Sequence, residues 1–166
     1  MSYSKRFTAT AMVIFVFGIA MIDCAVAGEK MKWHGVVYDA NREQVKVDDE
    51  EGHVLIVMKS KHIYFNDVTG ERMTGWAASM VDVNIKTGQG FVQGYGALID
   101  KDGDTWFRRH EGGPAEKSHW WKGTWTAVKG TGKYKGIKAK GTWREYSPPA
   151  DRSYNYIEAE GDLKMP

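Results

Sequence analysis

Two copies of one tripeptide, Gly123-Thr124-Trp125 and Gly141-Thr142-Trp143, flank a glycine-rich centre that runs from Gly130 to Gly136. The segment 122–143 reads as a strand, a glycine turn and a second strand. A bulky aromatic beside a glycine on paired strands suits a curved sheet. The glycine relieves crowding where the sheet bends, and the ring fills the space on the inside. This predicts a closed β-barrel with an interior, and it names no reaction.

The remaining chain supports a barrel. From Gly28 onward no window shows a sustained 3.6-residue apolar period. Short runs rich in Val, Ile, Thr and aromatics recur instead, separated by Gly, Asp and Asn. Strands are expected near 33–39, 43–48, 53–59, 62–66, 77–86, 89–100, 104–111, 117–128, 137–146 and 153–163, the first four merging into two or three longer ones. Asp100 to Gly103 reads as a tight hairpin turn. Residues 69–75 read as a longer loop, and Ser147 to Asp151 as another because consecutive prolines cannot sit in a central strand. The fold class is therefore all-β: an eight-stranded antiparallel up-and-down barrel, with an interior just wide enough for side chains or one small ligand. Within 89–100, Phe91, Gln93, Tyr95, Ala97 and Ile99 share one face, and Val92, Gly94, Gly96 and Leu98 the other.

The first residues read as a cleaved signal peptide. Lys5 and Arg6 precede the apolar run Ala9–Ile22, which is short of the roughly 20 residues needed to span a bilayer. Ala25-Val26-Ala27 then supplies a small-residue cleavage site. Cys24 follows Asp23, which does not suit a lipoprotein signal. Residues 1–27 are thus expected to be removed, leaving 28–166 as a single barrel domain that is periplasmic or secreted, with no stable membrane insertion after cleavage. Cys24 is the chain's one cysteine, so the remainder carries no disulfide and no thiolate ligand. The whole chain has a formal net charge of +2, without the strongly basic footprint of a nucleic-acid binder.

The run from Lys122 to Thr126, then Gly130 to Ile137, then Gly141 to Trp143 resembles the last part of the barrel in the allene oxide cyclase and dirigent-like superfamily. It is more similar still to small exported bacterial proteins that share this barrel. The resemblance implies an eight-stranded antiparallel barrel with an apolar cavity, and copies of the chain that can assemble as a homo-oligomer, a dimer or trimer. Plant enzymes of the superfamily cyclise an unstable fatty-acid epoxide or guide the radical coupling of phenols, using cavity shape and a few polar groups. The matched residues assign no catalytic group here, and fold alone does not assign function.

Chemical motifs exclude more than they include. Gly130-Thr131-Gly132-Lys133 fails as a phosphate loop, because Ala127 stands where the first glycine is required and Tyr134 where Ser or Thr is required. The five histidines, His34, His53, His62, His110 and His119, show no metal-ligand spacing. His34, His53 and His119 remain the set that could meet in space. No metal and no cofactor is expected, and no nucleophile motif appears. Glu158 and Glu160 share a strand face with Tyr154 and Tyr156. If that face lines the lumen, Glu158 is a buried acid or a ligand anchor; otherwise the Ile157/Ala159 face is inside. His119, Trp121, Gly123 and Trp125 share one face, and Trp143 and Glu145 another. These tryptophans read either as core filling or as a stacking wall for a flat ligand. The lysines from Lys129 to Lys140 read as a solvated face.

Three functions remain open. One is a carrier that binds a small apolar or aromatic molecule, with Phe91, Tyr95, Trp121, Trp125 and Trp143 as wall and Arg108, His110 and Glu158 as polar anchors. Another is a cofactor-independent isomerase or cyclase using the same cavity. The third is a structural or interaction module with a filled lumen.

Overall fold

The computed structural model describes residues 29–115, 120–149, 151 and 153–166. The leader and His119 lie outside these residues. Eight strands follow in chain order: β1 Glu29–Lys46, β2 His53–Asn66, β3 Arg72–Asn84, β4 Gly90–Ile99, β5 Thr105–Pro114, β6 Trp120–Gly130, β7 Lys138–Tyr146 and β8 Asn155–Lys164. Each pairs antiparallel with the next, and β8 pairs with β1, so the sheet closes as an up-and-down barrel. The strands expected at 33–39 and 43–48 are one long β1, with a bulge between Asp39 and Asn41. Those at 53–59 and 62–66 are both part of β2. The loop expected to reach residue 75 ends earlier. β3 already pairs from Arg72, and its Met73 is buried in the core opposite Tyr64. The glycine turn between β6 and β7 contains a single 3₁₀ turn, Gly132–Tyr134, whose tyrosine is buried. The turn at residues 100–103 is as expected, with Gly103 at φ +87°.

One half of the barrel is solid. Trp33 from β1, Trp106 from β5 and Trp125 from β6 meet there. Their ring centroids are 5.6 Å apart for Trp33 and Trp106, 5.4 Å for Trp106 and Trp125, and 6.4 Å for Trp33 and Trp125. Tyr64, Leu98, Met31 and Met73 fill the gaps between them. Three indoles fit because the facing strands present small residues. In register, Trp33 is opposite Ala159 and Met31 is opposite Gly161. A Cβ added at Gly161 would lie 2.6 Å from Cζ2 of Trp125. Beyond this layer Tyr134, Ile137 and Ala139 are buried in the same cluster. Lys133 holds the side chain of Asp100 at 2.6 Å across that end.

The other half is built differently. The pairing of β1 with β8 ends at Val37 and Asn155. Past the bulge, β1 continues with β2 alone, and Asn41–Lys46 are exposed. The end of β1 therefore forms a free edge at this rim, while β2 stays paired with β3 down to His53.

Candidate functional site

The half that bears the free edge of β1 holds a cavity of about 530 Å³. Its wall is largely apolar: Val37, Ile56, Val81, Val92 and Ile157, with Trp121 and Trp143 on one side. Polar groups gather at its floor and rim. Ser60, His62, Ser79, Arg108 and His110 line the deeper part, and Glu145 and Asn155 belong to β7 and β8 near the mouth.

Strand alternation places these groups. On β2, Lys59 and Lys61 are exposed, since lysine ammonium groups stay in water. Their neighbours Ser60, His62 and Tyr64 must then point inward, and all three are buried. On β5, Trp106, Arg108 and His110 alternate into the lumen. The first joins the solid half and the other two form the floor. The facing strand β4 makes room for them with glycine. A Cβ at Gly94 would lie 2.9 Å from two atoms of the His110 ring, and one at Gly96 would lie 3.5 Å from Nε of Arg108.

The floor is one directed chain of hydrogen bonds. Arg108 can only donate, and its Nη2 lies 2.8 Å from the Tyr64 hydroxyl. In the arrangement that continues the chain, the phenol passes its own proton onward to Nδ1 of His62 at 3.1 Å. That leaves the His62 proton on Nε2, which donates to the Ser60 hydroxyl at 2.8 Å. The Ser60 proton is then free to point elsewhere. Next to this chain, the Ser79 hydroxyl lies 3.0 Å from Nε2 of His110. At the rim, Nδ2 of Asn155 donates to Oε1 of Glu145 at 2.6 Å.

Both lumen histidines are held neutral. Burial, then the Arg108 charge, then His110 drive the His62 value well below the ordinary range. Burial and then Arg108 push His110 down to about 4. Burial raises Tyr64, with the Arg108 charge and hydrogen bond opposing it, so the phenol keeps its proton. The floor therefore combines a fixed cation, a phenol and two neutral imidazoles.

The expected site residues divide by face. Arg108, His110, Trp121 and Trp143 all line the cavity. Trp125 does not: it is 1% exposed and belongs to the solid half, packed against Trp33 and Trp106. Phe91 and Tyr95 stand on the outer face, where Tyr95 is 57% exposed. The inner face of β4 is the glycine face, because Arg108 and His110 occupy the volume that aromatic rings would need. Glu158 is also outside and pairs with Arg144, whose Nε lies 2.6 Å from Oε2. Ile157 and Ala159 take the inner positions of β8, where a small residue must face Trp33.

His34 and His53 do not meet. His34 bonds Asp67 beside the far end of β2, and His53 bridges Asp49 and Asp82 at the strand's start. Reasoning from the sequence passed over Ser60, His62, Tyr64, Ser79, Glu145 and Asn155 as site residues. The signal for the first three was present in the exposed lysine pair that alternates with them.

No family model matches the sequence, and the comparison with curated proteins gives no match. Among solved structures, the barrel is similar to two pterocarpan synthase dirigent proteins. One is 11% identical with a TM-score of 0.50, over 84% of this chain and 86% of that one. The other is 10% identical with a TM-score of 0.50, over 84% and 97%. A pyocyanin demethylase aligns with a TM-score of 0.42 at 14% identity, over 83% of this chain and 100% of that one. At these identities the likeness speaks for the fold alone, and that fold is the eight-stranded barrel found in dirigent proteins.

Proposed function

We propose that the chain is a small-ligand-binding barrel whose half-open lumen takes a molecule with a flat, largely apolar body. The observation that supports this most is the cavity of about 530 Å³, which falls in the usual range for small-molecule sites. Its wall offers two indole faces, Trp121 and Trp143, and aliphatic side chains, while the polar groups are confined to the floor and mouth. Such a wall supplies affinity without direction, and the floor supplies orientation. Native mass spectrometry of protein purified from its own source tests the reading. A co-purified aromatic or lipidic molecule supports it, and a barrel that neither carries nor takes up any such molecule refutes it.

A second reading is favoured by the histidines. A neutral imidazole next to a fixed cation can accept a proton from a bound ligand, and the cation stabilises the charge that develops. That combination suits an isomerase or cyclase that needs no cofactor, with His110 as base and Arg108 as electrostatic partner. The dirigent neighbours are named for pterocarpan synthesis, which makes an enzyme on this scaffold reasonable without indicating this chain's substrate. Turnover by the wild type that is lost in His110→Asn supports this reading, and binding without any turnover by the wild type supports the carrier.

A further inference from the structure

We propose that the natural occupant of the lumen is a carboxylic acid, bound as its anion with the carboxylate held by Arg108 and His110. This rests on the lumen being a ligand site and adds the chemistry of the ligand's head. Arg108 is 4% exposed, yet no ion pair among the described residues includes it. Its one polar partner among the described residues is the neutral hydroxyl of Tyr64, and it also lies 5.4 Å from that ring's centroid. A buried cation without a counter-ion is costly, and buried charges in proteins are ordinarily paired. The protein's own carboxylates do not fill the role, because Glu145 is engaged with Asn155 nearer the mouth.

Two polar atoms of the Arg108 and His110 side chains also lack an acceptor. Nε of Arg108 and Nδ1 of His110 are buried and have no hydrogen-bond partner among the described residues. Both side chains line the cavity. The residues alternate on one face of β5, about 7 Å apart along the strand. Ser79 can donate its hydroxyl proton to Nε2 of His110, which leaves Nδ1 as an N–H. Both are then donors without an acceptor, on side chains that line the floor where the carboxylate would sit. The Tyr64–His62–Ser60 chain fixes the guanidinium from behind, so its fork is set before the ligand arrives. The apolar body of the acid would extend from the floor towards Trp121 and Trp143.

The test compares 2-naphthoate with its neutral isostere 2-naphthamide by isothermal titration calorimetry on the wild-type protein and on Arg108→Gln, with near-ultraviolet circular dichroism as the folding control. Charge-assisted hydrogen bonds predict that the wild type binds the acid about 10- to 100-fold more tightly than the amide. Arg108→Gln should remove that preference while leaving amide affinity within about twofold, the precision expected of such comparisons. If Arg108→Gln does not fold, Arg108→Lys replaces it. It keeps the charge, loses the Nε donor, and should narrow the preference. Equal wild-type affinity for acid and amide overturns the carboxylate assignment and leaves the lumen reading standing. Binding of neither overturns both. An acid preference that persists in the arginine variants shows that the carboxylate is held elsewhere and also overturns the proposal.

Discussion

Thr124 and Thr142 face each other across β6 and β7, and each lends its carbonyl oxygen to the tryptophan that follows the other. Nε1 of Trp125 donates to Thr142 at 3.1 Å, and Nε1 of Trp143 donates to Thr124 at 3.1 Å. The repeated tripeptide is thus a reciprocal pair about a local two-fold axis. Each indole also lies over glycines in the opposite direction. A Cβ at Gly112 would lie 2.6 Å from Cζ2 of Trp143, just as one at Gly161 would meet Trp125. The local symmetry ends at the rings. Trp125 points into the solid half, and Trp143 borders the cavity.

Trp125 and Trp121 should therefore respond differently to truncation. Trp125→Ala removes a buried indole from the three-tryptophan layer and should cost about 3–5 kcal/mol of stability. Trp121→Ala, on the partly exposed wall, should cost less and instead weaken binding of an aromatic probe. Urea unfolding and calorimetric titration of both variants check this. Equal stability losses would mean that the cavity wall and the plug are not distinct.

Gly161→Ala should destabilise the barrel by about 1–3 kcal/mol, the range for overpacking. The added methyl meets both the Trp125 ring and a β7 backbone carbonyl, that of Lys140. Chemical denaturation measures the loss, and a neutral result would mean that β8 shifts freely.

Tyr64→Phe tests the directed chain at the floor. It leaves Nη2 of Arg108 and Nδ1 of His62 without their shared partner, inside the protein. Each unmet buried group costs about 1–3 kcal/mol, so the variant should lose more stability than its single missing oxygen suggests. Equilibrium unfolding at neutral pH provides the check.

Acid should weaken the fold before carboxylates titrate. His110 and His62 have folded values below the usual 6.5, so the unfolded chain takes up their protons more readily. Their stabilisation is complete above pH 6.5 and is lost as pH falls from there towards the folded values. For His110, a drop from pH 7 to pH 5 corresponds to roughly 2 kcal/mol. His53 works the other way. Its bonds to Asp49 and Asp82 raise its value, so its contribution holds below 6.5 and fades as pH rises past the folded value. Urea midpoints at pH 7 and pH 5 should fall for the wild type, and by less for His110→Asn.

Export is also testable. If Ala25 to Ala27 ends a signal peptide, terminal sequencing of the mature protein will begin at Gly28. A first residue of Met1, or a lipid on Cys24, would refute it.

The barrel was legible because glycine–aromatic pairing and short β-branched runs leave few other solutions. Which face of each strand points inward was harder to read. On β6 and β7 the tryptophans marked it. On β4 both faces carry apolar residues, and the aromatic face looked like the interior. The decision lay on β5, where Arg108 and His110 claim the space over Gly94 and Gly96, a relation between strands that no single strand carries. On β8 the choice between Glu158 and Ile157 was set by the bulk of Trp33 across the seam. The two levels at which tryptophan enters the barrel, one forming a plug and one a wall, depend on register, and a local sequence pattern does not reveal register.

The tryptophan plug makes the lumen a dead end. A ligand bound there as proposed would enter and leave by the one open end, near Trp121 and Glu145. If the lumen holds a ligand as proposed, such a vessel stores or transforms it and does not conduct it. Exchange is then sequential, since the next molecule waits for the last to depart, and residence time is governed by the mouth.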